Sequence, residues 1–180
     1  MMKKMVCLLL AAVFLIVLCS CGTQMTAVEN YLIALKKMDF EGVMNTVSES
    51  NQNLENLYKN LNDEEKETLQ KLYGLVQYTI KEETKENGVR LVDITLKIPD
   101  VKRIFELTDK QILVSAETAS KVVSDMIDSG TVSKTLILEK SFTVQMIESD
   151  GKWRIDSGDA NKEFFDTIGF EKTMHFFVYD

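Results

Sequence analysis

From Val76 onward the apolar residues change their spacing, and that change limits the fold more than any other feature of the chain. Val76, Tyr78 and Ile80 alternate with Gln77, Thr79 and Lys81, and Val92, Ile94, Leu96 and Ile98 alternate in the same way until Pro99. Each run therefore lays apolar side chains on one face of a strand and polar ones on the other. Asn87-Gly88 joins the two runs, and both residues accept the positive φ that a two-residue hairpin requires. Leu136, Leu138, Phe142, Val144 and Met146 repeat the period of two, Asp150-Gly151 supplies a second tight turn, and Trp153 with Ile155 begins a fourth strand. Two such hairpins make a mainly antiparallel sheet with one apolar face, which other elements have to cover.

Helices upstream are the natural cover. Val28, Tyr31, Leu32, Leu35 and Met38 recur at spacings of three and four, which predicts an amphipathic helix from about Thr26 to Met38. Asp39 to Val43 (DFEGV) breaks it, and Leu54, Leu57, Tyr58 and Leu61 start a second periodic segment. Asn62, with Glu65 three residues on, reads as a capping box ahead of a third helix that buries Leu69, Leu72 and Tyr73. After Pro99, Asp100 opens another helical stretch, in which Ile112, Leu113, Ala116, Ala119, Val123, Met126 and Ile127 form one apolar face that stops at Gly130. Val101 to Leu107 reads as a separate turn. The tail from Asp159 to Asp180 is expected to hold a short helix with Phe164, Phe165 and Ile168, then an extended HFFVYD end. Five of the nine phenylalanines fall in its last seventeen residues. The expected class is α+β: N-terminal helices on a curved four-stranded sheet, with a helical insertion between strands 2 and 3.

The N-terminus has a different character. Lys3 and Lys4 precede an uninterrupted apolar run of fourteen residues, Met5 to Leu18. That length suits the core of an export signal better than the roughly 20 residues a membrane span needs. The Leu18-Cys19-Ser20-Cys21 that follows resembles a bacterial lipobox, with an aliphatic residue three before and a small residue one before a cysteine. The resemblance implies a signal peptide over 1–20, recognition by the lipoprotein signal peptidase through Leu18, Cys19 and Ser20, and a diacylglyceryl group on Cys21 as the first mature residue. Residues 21–25 would form the lipidated tether and 26–180 one α+β domain with an aromatic tail. Two acyl chains hold a protein on a membrane far more firmly than one, at roughly 0.8 kcal/mol per buried methylene. The alternative is an uncleaved signal anchor with Cys21 as a free thiol.

Processing at that site leaves the exported domain without a thiol, since the three cysteines are Cys7, Cys19 and Cys21. Disulfide scaffolds, thiolate zinc sites and cysteine nucleophiles are then excluded together. Loss of Lys3 and Lys4 leaves 19 of the 21 basic residues against 28 acidic ones, a formal charge of −9. Such a surface repels phosphate backbones, which argues against nucleic acid as a partner.

The segments VENYLIALKKMDFEGV and ESDGKWRIDS, with the order of elements between them, resemble the NTF2-like, cystatin-like domains of small lipoproteins in Gram-positive bacteria. The likeness covers about Thr26 to Ser157. It implies a sheet curved into a cone, with Tyr31, Leu32 and Leu35 packed inside the curve and Trp153 and Ile155 filling it. Tyr31, Leu35, Tyr78, Phe142 and Trp153 are the candidate pocket or core lining. The helical insertion and the aromatic tail depart from that outline.

The functional expectation is a non-enzymatic, lipid-anchored module on the extracytoplasmic face of the cell membrane, binding an envelope protein or a small apolar ligand. No catalytic residue, cofactor or metal site is assigned. The alternative is an isomerase or hydrolase of the same fold with its pocket in the cone, which needs a carboxylate base and an acidic donor. Tyr78 and Asp93 are the residue types for it, but alternation puts Asp93 on the face opposite Val92, Ile94 and Leu96. His175, the lone histidine, lies between Met174 and Phe176 and reads as packing or surface. The acidic pairs lack calcium-loop spacing.

Overall fold

A computed structural model describes residues 26–49, 51–115 and 118–179. The expected signal peptide over 1–20, its recognition residues Leu18, Cys19 and Ser20, the lipidation site Cys21 and the 21–25 tether lie outside the described residues.

The first helix, α1 (Ala27–Lys37), starts where Thr26 accepts the Glu29 N–H on its hydroxyl, and ends at Met38, whose φ of 55° turns the chain sharply. The expected break at Asp39 instead begins a new helix, α2 (Phe40–Thr46), because the Asp39 carboxylate caps it by accepting the Gly42 N–H at 2.9 Å. Gly42 suits this corner, since a Cβ there would lie 3.0 Å from that of Ala34. Next come α3 (Gln52–Asn60) and α4 (Asp63–Gly74). At the start of α4 the expected capping box is complete: Asn62 accepts the Glu65 N–H, and Glu65 accepts the Asn62 N–H.

The sheet is an open antiparallel meander in the order β1 (Gln77–Glu86), β2 (Val89–Pro99), β3 (Ile137–Ser149), β4 (Lys152–Ile155). Positive φ at Asn87, Gly88, Asp150 and Gly151 closes the two hairpins. The register sets Ile80 beside Ile94, Ile94 beside Phe142 and Met146 beside Ile155, so the alternating apolar residues share one face. That face meets Val28, Leu32 and Leu35 of α1 and Leu69, Leu72 and Tyr73 of α4 in a single buried cluster. Full burial of each large apolar side chain contributes about 1.5–3 kcal/mol.

Between β2 and β3 the insertion is helical, as expected, but divided differently. Val101 to Leu107 is no separate turn; it begins α5 (Val101–Ser115), a helix whose first turn Asp100 caps by accepting the Arg103 N–H. Thr118 then caps a new helix, α6 (Ala119–Asp128), and Gly130, at φ 75°, precedes the short α7 (Thr131–Thr135). Because the helical phase restarts at Thr118, Leu113 does not share the face of Ala119 and Val123 and is 87% exposed. Ala116 lies outside the described residues.

A second correction concerns the tail. The expected short helix exists as α8 (Lys162–Ile168), but the HFFVY stretch of the end is helical rather than extended, forming α9 (Phe170–Tyr179). Phe170, Thr173, Met174 and Phe177 are buried at spacings of three, one and three, a helical stripe interrupted from α8 only by Gly169.

The two edges of the sheet are closed in different ways. Along β1 the outer positions are Lys81, Glu82, Glu83, Lys85 and Glu86, with a register irregularity after Ile80, a charged and bent border unsuited to pairing. On the other side, Val47 bridges Ile155 of β4, and just past the end of that short strand the edge of β3 is bonded by the side chain of Asn161. Its Oδ1 accepts the Gln145 N–H at 2.9 Å, while its Nδ2 donates to the carbonyls of Gln145 and Asp156 at 2.7 and 2.8 Å. Asn161→Ala leaves three backbone groups without this partner, so a loss of about 2–4 kcal/mol is expected. Urea unfolding should show a lower midpoint with an unchanged slope.

Candidate functional site

The sequence suggested a pocket within the curve of the sheet. That space is filled: Tyr31 and Leu35 are buried in the core, and Phe142 lies half-buried, edge-on to Phe164 with ring centroids 5.7 Å apart. Tyr78 is half-buried on β1, and its hydroxyl is held above the usual range by burial, then by the charge and hydrogen bond of Glu29. Trp153 packs against the core but is only partly buried. It shares the face of Ile155 but sits two residues nearer the Asp150–Gly151 turn, where the long cations Arg90 and Lys85 cover its ring at 4.5 and 5.4 Å. Arg90 also donates to Glu83 at 2.6 Å.

Tyr78 and Asp93 are not brought together. Asp93 accepts a hydrogen bond from Thr143 at 2.6 Å on the outer face of the sheet, while Tyr78 faces inward beside Leu96. Among the described residues no group of three or more histidine, cysteine, aspartate or glutamate side chains could hold a metal ion. His175 is exposed, its ring 4.5 Å from that of Tyr179.

The space that does remain lies on the helical side of the molecule, as an open groove of about 1430 Å³. One wall is the α2–α3 connection, with Val43, Met44, Val47 and Leu54; another is the start of α5, with Val101 and Phe105; the third is the α8–α9 corner, with Phe165, Phe170 and Phe176. Phe105 and Phe176 stack at 4.0 Å and join the last two walls. Gly169 lets the corner form, because its φ is 64° and a Cβ there would lie only 2.7 Å from Val101 Cγ2. Of the five residues picked from sequence as lining, only Tyr31 borders this groove. The rest of the lining was missed because five separated stretches contribute; the clustered phenylalanines of the tail were the one available signal.

Polar groups at the groove are mostly engaged. Lys172 donates to Asp166 at 2.8 Å, which holds that carboxyl below the usual range. Asn51 caps α3 and donates to Glu171 at 3.4 Å. Tyr31 is different: it is 3% exposed, its ring lies 6.0 Å from both Phe164 and Phe165, and its hydroxyl hydrogen-bonds to no described residue. Behind it, the Tyr73 hydroxyl meets the Thr173 hydroxyl at 3.0 Å and the Ile168 carbonyl at 3.2 Å, and Thr173 donates to the Gly169 carbonyl.

No family model matches the sequence, and no curated protein matches it significantly. Among solved structures, YcdA of Bacillus subtilis subsp. subtilis str. 168, provisionally described as a lipoprotein, aligns over 77% of this chain at 17% identity with a TM-score of 0.35. The chain spans 44% of that protein's length. A likeness at this level does not establish a shared fold.

Burial pushes the Tyr31 and Tyr73 hydroxyls well above the ordinary value of 10.0. Above that pH the unfolded chain releases protons that the folded one keeps, so the stability these neutral phenols contribute is complete below pH 10 and lost as pH rises beyond it. The expected decline approaches about 1.4 kcal/mol per pH unit for each tyrosine. Tyr31→Phe should make the decline shallower by about that amount, as measured by urea unfolding across the alkaline range.

Proposed function

We propose that the chain is a bacterial lipoprotein, anchored through Cys21 to the extracytoplasmic face of the cell membrane, whose α+β domain acts as a non-enzymatic binding module. On this reading residues 1–20 are a signal peptide, residues 21–25 are the tether, and the domain is of the NTF2-like kind found in Gram-positive bacteria. The observation that carries the binding role is the groove of about 1430 Å³ walled by Phe105, Phe165, Phe170 and Phe176. Concave, mainly apolar sites with a few polar groups are what small ligands and partner segments occupy. The anchor rests on LCSC after the fourteen-residue apolar run. No helix among the described residues is long and apolar enough to cross a membrane.

The anchor is tested in bacteria with intact lipoprotein processing. Wild-type chain should incorporate labelled palmitate and sediment with membranes, at the mass of a chain starting at Cys21. Cys21→Ala should take up no label and keep residues 1–20. An unacylated wild-type chain in such cells would sink the proposal.

A further inference from the structure

We infer that the groove takes an elongated, uncharged lipid-like molecule bearing a carbonyl or similar acceptor, which receives a hydrogen bond from the Tyr31 hydroxyl while its apolar body lies along Phe105 and Phe176. The inference rests on the binding-module reading and narrows it to a ligand class.

Three observations converge on this chemistry. The first is the hydroxyl itself. Tyr31 is 3% exposed and borders the groove, yet its O–H has no partner among the described residues, whereas the neighbouring Tyr73 hydroxyl has two. The ring is buried while the hydroxyl opens on the groove, so its donor is free for an acceptor on a ligand, a hydrogen bond worth about 0.5–1.5 kcal/mol net. Burial also keeps that phenol protonated, so it acts as a donor rather than as an anion. The second is shape. About 1430 Å³ exceeds the roughly 300–1,000 Å³ that encloses a compact small molecule. An open trough of that size fits an extended chain, and the Phe105–Phe176 stack gives such a chain a continuous apolar wall.

The third is charge. Asp166 is already paired with Lys172, which leaves Glu49 and Glu171 against Lys102 and His175 among the acidic and basic side chains at the groove. That near balance offers a carboxylate or phosphate head no surplus of positive charge. A cationic head would find its carboxylates at the rim rather than beside Tyr31, where a charge would lose its hydration without a counter-charge. A neutral acceptor fits both the floor and the rim.

The test uses the acylated full chain in phosphatidylcholine vesicles, with empty vesicles as the baseline. The probe is octan-2-one carrying carbon-13 at its carbonyl, followed by NMR. Wild type should bind it saturably, with the downfield carbonyl shift of a hydrogen-bonded ketone. Tyr31→Phe, which keeps the ring and the packing, should weaken binding about five- to tenfold and abolish the shift. Phe176→Leu should weaken binding but keep the shift. Octanoate should compete poorly. Equal competition by octanoate, or a Tyr31→Phe chain with unchanged affinity and shift, would overturn the ligand class yet leave a binding groove standing. Absence of saturable binding to the folded wild type would overturn the inference, while palmitate labelling reports separately on the anchor.

Discussion

The hydroxyl of Tyr73 decides how the two C-terminal helices are attached. It projects from α4, which packs on the sheet, and reaches both the Ile168 carbonyl at the end of α8 and the Thr173 hydroxyl in the first turn of α9. Both groups flank Gly169, where the helical path breaks and the Gly169 N–H donates to the Phe165 carbonyl while the Ile168 carbonyl turns to Tyr73. A single buried phenol therefore satisfies the polar groups exposed by the kink and fixes the angle between two helices. The positions of Phe165, Phe170 and Phe176, and with them the groove, follow from that angle. If the thiols are confined to the first twenty-one residues, no disulfide can do this job, so apolar burial and a few enclosed hydrogen bonds carry it.

Strands were the most legible part of the sequence, because period-two alternation and the turn pairs Asn87-Gly88 and Asp150-Gly151 are local signals that the tertiary fold obeys. The capping box at Asn62 and Glu65 was equally plain. Harder to read were the places where a helix ends only for another to start. At Asp39 the sequence looked like a break because Gly42 lowers helix propensity, yet Asp39 is a cap and Gly42 a close-packing residue. At Gly169 the same ambiguity hid α9. Aromatic and β-branched residues in HFFVYD favour strands locally, and packing of Phe170, Met174 and Phe177 against the core overrides that preference.

The groove was illegible for a related reason. Alternation identifies which side chains turn inward from a sheet, so the search for a site settled on the sheet's apolar face, which α1 and α4 fill. Trp153 shows the limit of the rule. It has the correct parity to face inward and packs against the core, but only in part, and guanidinium and ammonium groups cover the rest of its ring. Parity gives the direction of a side chain; only the extent of the facing layer says what it meets.

The treatment of the sheet's edges bears on how copies of the chain meet one another. If the chain is anchored as proposed, a short tether confines it to a plane at high local concentration, with neighbours presented in similar orientation. Under such crowding an unprotected ladder of backbone groups is an invitation to grow a shared sheet from molecule to molecule. Asn161 fills part of one border with a side chain, and the lysines and glutamates of β1 line the other. Backbone pairing between neighbours is thereby disfavoured at the β1 border and at the Gln145 stretch of β3.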